Sequence, residues 1–122
     1  MTPAALRRCC LDLPGAVEEF PFTPENSVFK VSGKIFAITP LRARPLRVSL
    51  KCEPGLAEQL RASYPAIGPG YHLNKRHWNT VMLDGSIPDA MVREMIEDSY
   101  DLVVARLPRA TREALAWTGD RD

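Results

Sequence analysis

The stretch VFKVSGKIFAITPLRARPLRVSLK, residues 28–51, predicts three consecutive β-strands. Two β-rich runs, 28–32 and 35–39, flank a short turn at Gly33-Lys34, which is the pattern of a hairpin. In the third run, residues 46–51, the order Leu-Arg-Val-Ser-Leu-Lys alternates apolar and polar side chains. Because successive side chains of a strand point to opposite faces, this run predicts one buried face and one face in contact with water.

The rest of the chain predicts helices around these strands, because apolar residues recur there at helical spacing. Residues 14–27 are predicted to be connecting chain that Phe20 and Phe22 attach to the core. Three strands in succession with short connections favour antiparallel pairing. The order α-β-β-β-α-β-α therefore predicts an α+β, two-layer fold with an antiparallel β-sheet and helices on one face. The predicted helices cover about 3–13, 54–63, 87–107 and 109–117, and the fourth strand covers 78–83.

The composition is that of a soluble globular protein rather than a disordered one, with 45% hydrophobic residues, 25% charged residues and a formal net charge of +1. A length of 122 residues fits one domain, 1–122. There is no apolar run near the ~20 residues of a membrane span, and the first residues lack the apolar core of a secretory signal. We therefore expect a cytoplasmic protein without a membrane-spanning segment, either a monomer or a weak homodimer.

The cysteines and histidines do not predict a metal site, a cofactor or a catalytic residue. Cys9, Cys10 and Cys52 are odd in number and have no Cys-x-x-Cys spacing, so we expect reduced thiols that act as small core residues. His72 and His77 are five residues apart, which would place them about 140° apart around a helix rather than on one face. No Gly-x-Ser-x-Gly or comparable context for a nucleophile is present.

The near-neutral total charge conceals an asymmetry between two parts of the chain. Residues 26–52 contain six basic residues and no acidic one, whereas residues 84–101 contain six acidic residues and one arginine. One interpretation is a positive sheet face suited to phosphate groups. The other is that basic strands deter edge-to-edge aggregation and pair with the acidic helix. The six basic residues are Lys30, Lys34, Arg42, Arg44, Arg47 and Lys51.

The segment PAIGPGYHLNKRHWNTVMLDG, residues 65–85, combines aromatic and basic residues in the manner of proteins that stack on bases and neutralise phosphates. Gly70, Asn74, Trp78 and Asn79 are predicted to have structural roles. Trp78 begins a strand and is predicted to be buried, so its removal would cost about 3–5 kcal/mol. The predicted nucleic-acid-binding residues are Arg47, Lys51, Tyr71, His72, Lys75, Arg76 and His77.

The segment PGYHLNKRHWNTV, residues 69–81, resembles the signature of the MmcQ/YjbR family. Further matches are Leu-Pro-Gly at 13–15, Lys-Cys-Glu-Pro at 51–54, Tyr-Pro at 64–65 and Leu-Asp-Gly-Ser at 83–86. The resemblance implies a compact α+β domain similar to secretion chaperones, and a double-wing shape associated with DNA binding. The signature positions in this sequence are Tyr71, His72, Asn74, Lys75, His77, Trp78 and Asn79, with Lys51 as a basic partner.

Three functional hypotheses follow from these observations. The first is a small, non-enzymatic module that binds DNA or RNA. The second is a protein-interaction or chaperone-like adaptor that uses the acidic last helix as a surface. The third is a small-ligand binder or an enzyme that uses the His72 and His77 region.

Overall fold

The structure, a computed structural model, describes residues 1–117. Within this range it contains a six-stranded antiparallel sheet and four helices, which confirms the predicted α+β class. In chain order the elements are α1 (Pro3–Leu11), β1 (Ala16–Glu19), β2 (Ser27–Val31), β3 (Lys34–Thr39), β4 (Arg47–Lys51), α2 (Pro54–Ser63), β5 (Ile67–Pro69), β6 (Trp78–Met82), α3 (Asp89–Val104) and α4 (Arg109–Ala114).

The sheet has the strand order β1-β2-β3-β4-β6-β5. β2 and β3 form the predicted hairpin, and its turn contains Ser32 and Gly33 at positive φ angles of 48° and 79°. A φ angle in this range favours glycine, because a side chain is strained there. A register shift in the hairpin lets both Phe36 and Ala37 be fully buried. Strand β4 lies near the centre, between β3 and β6.

The helices pack on one face of the sheet and enclose the hydrophobic core there. The amide of Asn79 on β6 donates to the carbonyl of Ala57 on α2 over 3.4 Å. Tyr100 on α3 meets Phe36 on β3 edge to face, with ring centroids 5.5 Å apart, and its hydroxyl donates to the carbonyl of Pro14 over 2.6 Å. Both rings are fully buried. This arrangement is the two-layer architecture that the sequence predicts.

Two predictions about the first connection are wrong. Residues 14–27 are not only connecting chain, because Ala16–Glu19 pairs along β2 as an edge strand. Propensity does not reveal this strand, because two of its four residues are glutamates. Phe20 and Phe22 are 50% and 62% exposed, so they do not attach the segment to the core.

One further strand and two helix boundaries also differ from the predicted ones. The sequence pattern did not indicate β5, a strand of three residues that includes Pro69. This strand lies at the edge of the sheet, and an edge strand tolerates proline because one side of its backbone needs no hydrogen-bond partner. Helix α3 begins at Asp89, two residues later than predicted, and the hydroxyl of Ser86 before it donates to the carboxylate of Asp84 over 2.6 Å. Helix α4 ends at Ala114, before Trp117.

Candidate nucleic-acid interface

The sheet face opposite the helices, here called the open face, carries the polar side chains of β4. The register pairs Arg47 with Met82, Ser49 with Thr80 and Lys51 with Trp78, and directly paired residues of an antiparallel sheet share a face. The apolar residues of β4 lie on the other face and are almost fully buried, as the alternation predicts: Leu46, Val48 and Leu50.

The centre of the open face is less exposed to solvent than the sequence predicts. Ser49 is only 8% exposed, and its hydroxyl lies 2.8 Å from the hydroxyl of Thr80, which is also 8% exposed. Arg47 and Lys51, on either side of Ser49, are themselves partly buried. The prediction that one face of this strand is in contact with water is therefore wrong for its centre, where the loop that carries Tyr71 donates a hydrogen bond to Thr80.

A groove of about 340 Å³ lies on the open face beside Arg47. We call it the Arg47 groove. It brings together three of the predicted binding residues, Arg47, Tyr71 and His72, although 24 positions of sequence separate the first two. Among its lining residues in the described part of the chain there is no acidic side chain, so Arg47 gives it a positive character. Its lining is Phe22, Asn26, Ile38, Pro40, Arg47, Ser49, Tyr71, His72 and Leu73.

Tyr71 and His72 form a pair of exposed rings at the edge of this groove. The backbone N–H of Tyr71 donates to the hydroxyl of Thr80 over 3.1 Å, which ties the loop to the centre of the sheet. His72 adopts a positive φ of 57°. The ring centroids of the two residues are 4.1 Å apart and tilted by 54°. Tyr71 is 65% exposed, so its ring is available for stacking on a planar ligand.

The loop that carries these rings is held by close packing and by side-chain hydrogen bonds. A Cβ atom on Gly70 would lie 2.7 Å from the Cβ atom of Trp78, so only glycine fits there. The Asn74 side-chain oxygen accepts from the backbone N–H groups of Arg76 at 2.8 Å and His77 at 3.3 Å. Gly70 and Asn74 therefore stabilise the conformation of this loop.

Arg61 of α2 holds the same loop from the helical side. Its guanidinium donates to the carbonyl of Lys75 and to the side-chain oxygen of Asn79, both over 2.9 Å. Asn79 is 3% exposed. Sequence reasoning missed Arg61, and no motif marks it, because its partners lie 14 and 18 residues away.

The structure does not bring all seven predicted binding residues together. Lys75 and Arg76 are exposed on the loop and do not line the Arg47 groove. His77 is partly buried, and its backbone carbonyl accepts from the N–H of Cys52 over 2.7 Å. His72 lines the groove and His77 does not, so the two imidazoles are not part of one pocket there.

Lys51 lies in a second depression, of about 570 Å³, which we call the Lys51 cleft. It forms where β3 and β4 separate, because these strands pair only through Ala37 with Leu50 and Ile38 with Ser49. Three basic side chains and an indole line it, and no sequence pattern pointed to one of them, Arg106. The lining residues are Gly33, Lys34, Ile35, Lys51, Trp78, Val103, Arg106 and Leu107.

Three sequence-based expectations need correction. Trp78 is partly buried on the open face rather than fully buried in the core, because it pairs with Lys51 and lines the Lys51 cleft. Lys30 is not a free positive charge, since its ammonium lies 3.0 Å from the Glu19 carboxylate on β1. Phe22, which the sequence pattern assigned to the core, has its ring in the Arg47 groove.

The cysteine thiols have raised pKa values, and burial is the main cause. Burial raises the pKa of the Cys10 thiol to about 12, and it also raises the pKa of Cys9 and Cys52. Within residues 1–117, no group of three His, Cys, Asp or Glu side chains is placed to hold a metal ion. No helix in the described part of the chain has the length and apolar character needed to cross a membrane.

Comparison with known proteins gives consistent matches over most of the chain. A model of the YjbR family matches residues 11–102. Uncharacterized protein YbdF of Escherichia coli O157:H7 is 41% identical over 104 residues, which are 84% of each chain. Uncharacterized protein YjbR of Escherichia coli K12 is 39% identical over 116 residues, which are 94% of this chain and 98% of the relative.

Solved structures also match most of the chain. The crystal structure of Deinococcus radiodurans protein DR2400, with a domain described as DUF419, matches 99% of this chain and 92% of its own with a TM-score of 0.92 and 41% identity. A crystal structure of a Pseudomonas syringae protein matches 84% of this chain and 98% of its own with a TM-score of 0.72 and 28% identity. These matches confirm the family resemblance and the fold, and their names state no activity.

Proposed function

The chain belongs to the YjbR family, and on that premise and the geometry of the open face we propose that it binds single-stranded nucleic acid without catalysing a reaction. The observation that carries the proposal is the Arg47 groove, where a guanidinium lies with exposed aromatic rings and an imidazole. Proteins that bind single strands combine basic grooves with aromatic side chains on which bases stack. Such a role fits the cytoplasmic location expected from the sequence.

A single strand suits this surface better than a duplex. The helices pack on the opposite face of the sheet, so none of the helices that cover the core projects from the open face to enter a major groove. Tyr71 and Phe22 are 65% and 62% exposed, and a ring can stack only on a base that is itself unstacked. The proposal therefore assigns stacking to these rings and to His72, and phosphate contact to Arg47.

The Lys51 cleft provides a second contact point for the same strand. Arg47 and Lys51 are four residues apart on one face of β4, a distance of about 13 Å at the rise of a strand. The two side chains are therefore far enough apart to contact different phosphates of one extended strand. Lys34 and Arg106 add charge in the cleft, and Lys75 and Arg76 add charge on the exposed loop.

Fluorescence anisotropy with labelled single-stranded and double-stranded oligonucleotides at low salt tests the proposal. We expect the single strand to bind more tightly. Tyr71→Ala should weaken binding about 5- to 150-fold, the range that corresponds to one stacked base. The double variant Arg47→Gln, Lys51→Gln should lower the slope of log affinity against log salt by about 1.4, since a single strand contributes about 0.7 per phosphate contact.

The matched control is Arg8→Gln, which removes one exposed positive charge from α1 on the helical side. It should leave binding unchanged, because α1 is far from the open face in the fold. Absence of binding by the unmodified protein, equal affinity for duplex, or an equal effect of Arg8→Gln would reject the proposal. If the protein binds no oligonucleotide, the hypothesis of a protein-interaction or chaperone-like adaptor is favoured.

A further inference from the structure

A second groove lies on the helical side of the molecule, between α2 and α3, with a volume of about 370 Å³. We call it the α2–α3 groove. Its walls are mainly apolar and come from four elements: Leu50 of β4, Val81 of β6, the two α2 leucines and the α3 residues Met95 and Leu102. Leu56 of α2 is 39% exposed at this groove. The volume is in the range of ordinary ligand pockets.

The rim of this groove is acidic, in contrast to the open face. Glu53 at the start of α2 and Asp98 and Asp101 of α3 line it, against a single basic residue, Lys51. The side chain of Asp98 is largely exposed, and partial burial of its carboxyl together with repulsion from Glu94, Asp101 and Glu97 raises its pKa. Asp101 accepts a 2.9 Å hydrogen bond from the indole N–H of Trp117, which brings that ring into the groove.

We propose that the α2–α3 groove binds an amphipathic segment of another protein, with an apolar side chain in the groove and lysine or arginine residues beside Asp98. Charge complementarity carries the choice of partner. An anionic segment would add to the repulsion between Asp98 and the neighbouring Glu94 and Glu97, and a purely apolar segment would leave it unchanged, whereas a cation next to Asp98 reduces it. Helix-in-groove recognition uses this combination of apolar anchors and flanking charges.

A second copy of this chain is a less suitable occupant. The basic surface it could offer is its own open face, and that face does not coincide with the α2–α3 groove. The contact would therefore join two different surfaces, and such a contact generates a ring if the rotation closes and an open filament if it does not. The proposal does not rest on nucleic-acid binding. In the described part of the chain the Arg47 groove and the α2–α3 groove have no lining residue in common, and Lys51 is the one residue that lines both the Lys51 cleft and the α2–α3 groove.

The experiment titrates the 122-residue protein with two labelled synthetic amphipathic peptides and follows their fluorescence anisotropy. The peptides share the same leucine positions, but one has lysine and the other glutamate at every polar position. We expect the lysine peptide alone to bind. Leu56→Asp and Asp98→Lys should each weaken binding roughly tenfold or more, because the first places a charge among the apolar anchors and the second reverses the charge that a lysine of the peptide would meet.

Glu58→Lys is the matched control, because this substitution changes the charge by the same amount as Asp98→Lys. Glu58 is exposed on α2 and does not line the groove. It should leave binding nearly unchanged. Asp98 is exposed, so Asp98→Lys remains informative even if Leu56→Asp fails to fold. The proposal is overturned if neither peptide binds, if both bind equally, or if Glu58→Lys weakens binding as much as Asp98→Lys. Self-association of the unmodified protein that Leu56→Asp and Asp98→Lys abolish would also overturn it, in favour of a second copy in the groove.

Discussion

The backbone N–H of Lys51 donates a 2.8 Å hydrogen bond to the hydroxyl of Ser99, and that hydroxyl in turn donates a 2.6 Å bond to the carbonyl of Phe36. Ser99 is fully buried on α3. It therefore bridges β3 and β4 at the point where their direct pairing ends. The separation of these strands forms the Lys51 cleft, so one helical hydroxyl satisfies the backbone groups that the cleft would otherwise leave unpaired.

Ser99→Ala should lower the free energy of unfolding by about 1–3 kcal/mol, because it leaves backbone groups of Lys51 and Phe36 without their partner. Urea denaturation followed by circular dichroism measures the change. Ser63→Ala, at an exposed position in α2, should have an effect within about 0.5 kcal/mol. Equal effects of the two substitutions would show that the Ser99 bridge contributes nothing specific.

Gly70→Ala and Gly68→Ala form a matched pair in one segment of the chain. A Cβ atom on Gly70 would meet the Cβ atoms of Trp78 and Leu73 and the Trp78 carbonyl, at 2.7, 3.1 and 3.1 Å, whereas one on Gly68 would meet nothing within 4 Å. Gly70→Ala should therefore destabilise the protein by about 1–3 kcal/mol. Gly68→Ala should be neutral or slightly stabilising, since it restricts the unfolded chain. Thermal denaturation compares them, and the reverse order of stability would contradict the close packing at Gly70.

Trp78→Ala should cost about 1–3 kcal/mol, which is less than the 3–5 kcal/mol expected for a fully buried tryptophan. The reason is that Trp78 is partly buried on the open face. Chemical denaturation measures the loss. A cost above this range would mean that the indole contributes to the core as much as the sequence pattern predicts.

Arg61→Met should loosen the loop that carries Tyr71 and His72, because it removes the donor to Lys75 and Asn79 while keeping a side chain of similar length. The expected loss is about 1–3 kcal/mol, since Asn79 is buried. Hydrogen exchange should become faster for the amides of residues 70–77. Arg76→Met changes an exposed side chain and should leave both stability and exchange nearly unaltered; comparable effects would exclude a special role for Arg61.

The stability of the protein should fall at alkaline pH partly because of Cys10. Its pKa is about 12 in the folded protein against an ordinary value of 9.0, mainly because of burial. The stabilisation from the neutral thiol is therefore complete below pH 9 and is lost as pH rises from 9 towards 12, with a slope of up to about 1.4 kcal/mol per pH unit. Denaturation across this range should show a smaller decline for Cys10→Ala than for the unmodified protein. A difference between the two proteins that is independent of pH would contradict the prediction.

The sequence by itself determined the fold class, because local patterns carry the necessary information. The alternation along residues 46–51 fixes which side of β4 faces the helices, and the glycine turn at Gly33 specifies the hairpin. The strands that the sequence pattern did not indicate, β1 and β5, are short edge strands. Their formation depends on pairing with a neighbouring strand rather than on their own β-propensity, so no local sequence pattern predicts them.

The tertiary structure alone decided which of the candidate residues meet. Arg47, Tyr71 and His72 come together because β4 and β6 pair in a particular register and Thr80 holds the loop that precedes β6. Phe22 joins them from the first connection, although its sequence context predicted a place in the core. Lys51 is separated from Arg47 by the length of the strand and lies instead at the gap that Ser99 bridges. These are contacts between residues far apart in the chain, and the register and strand separation that create them depend on the packing of the whole sheet against α3.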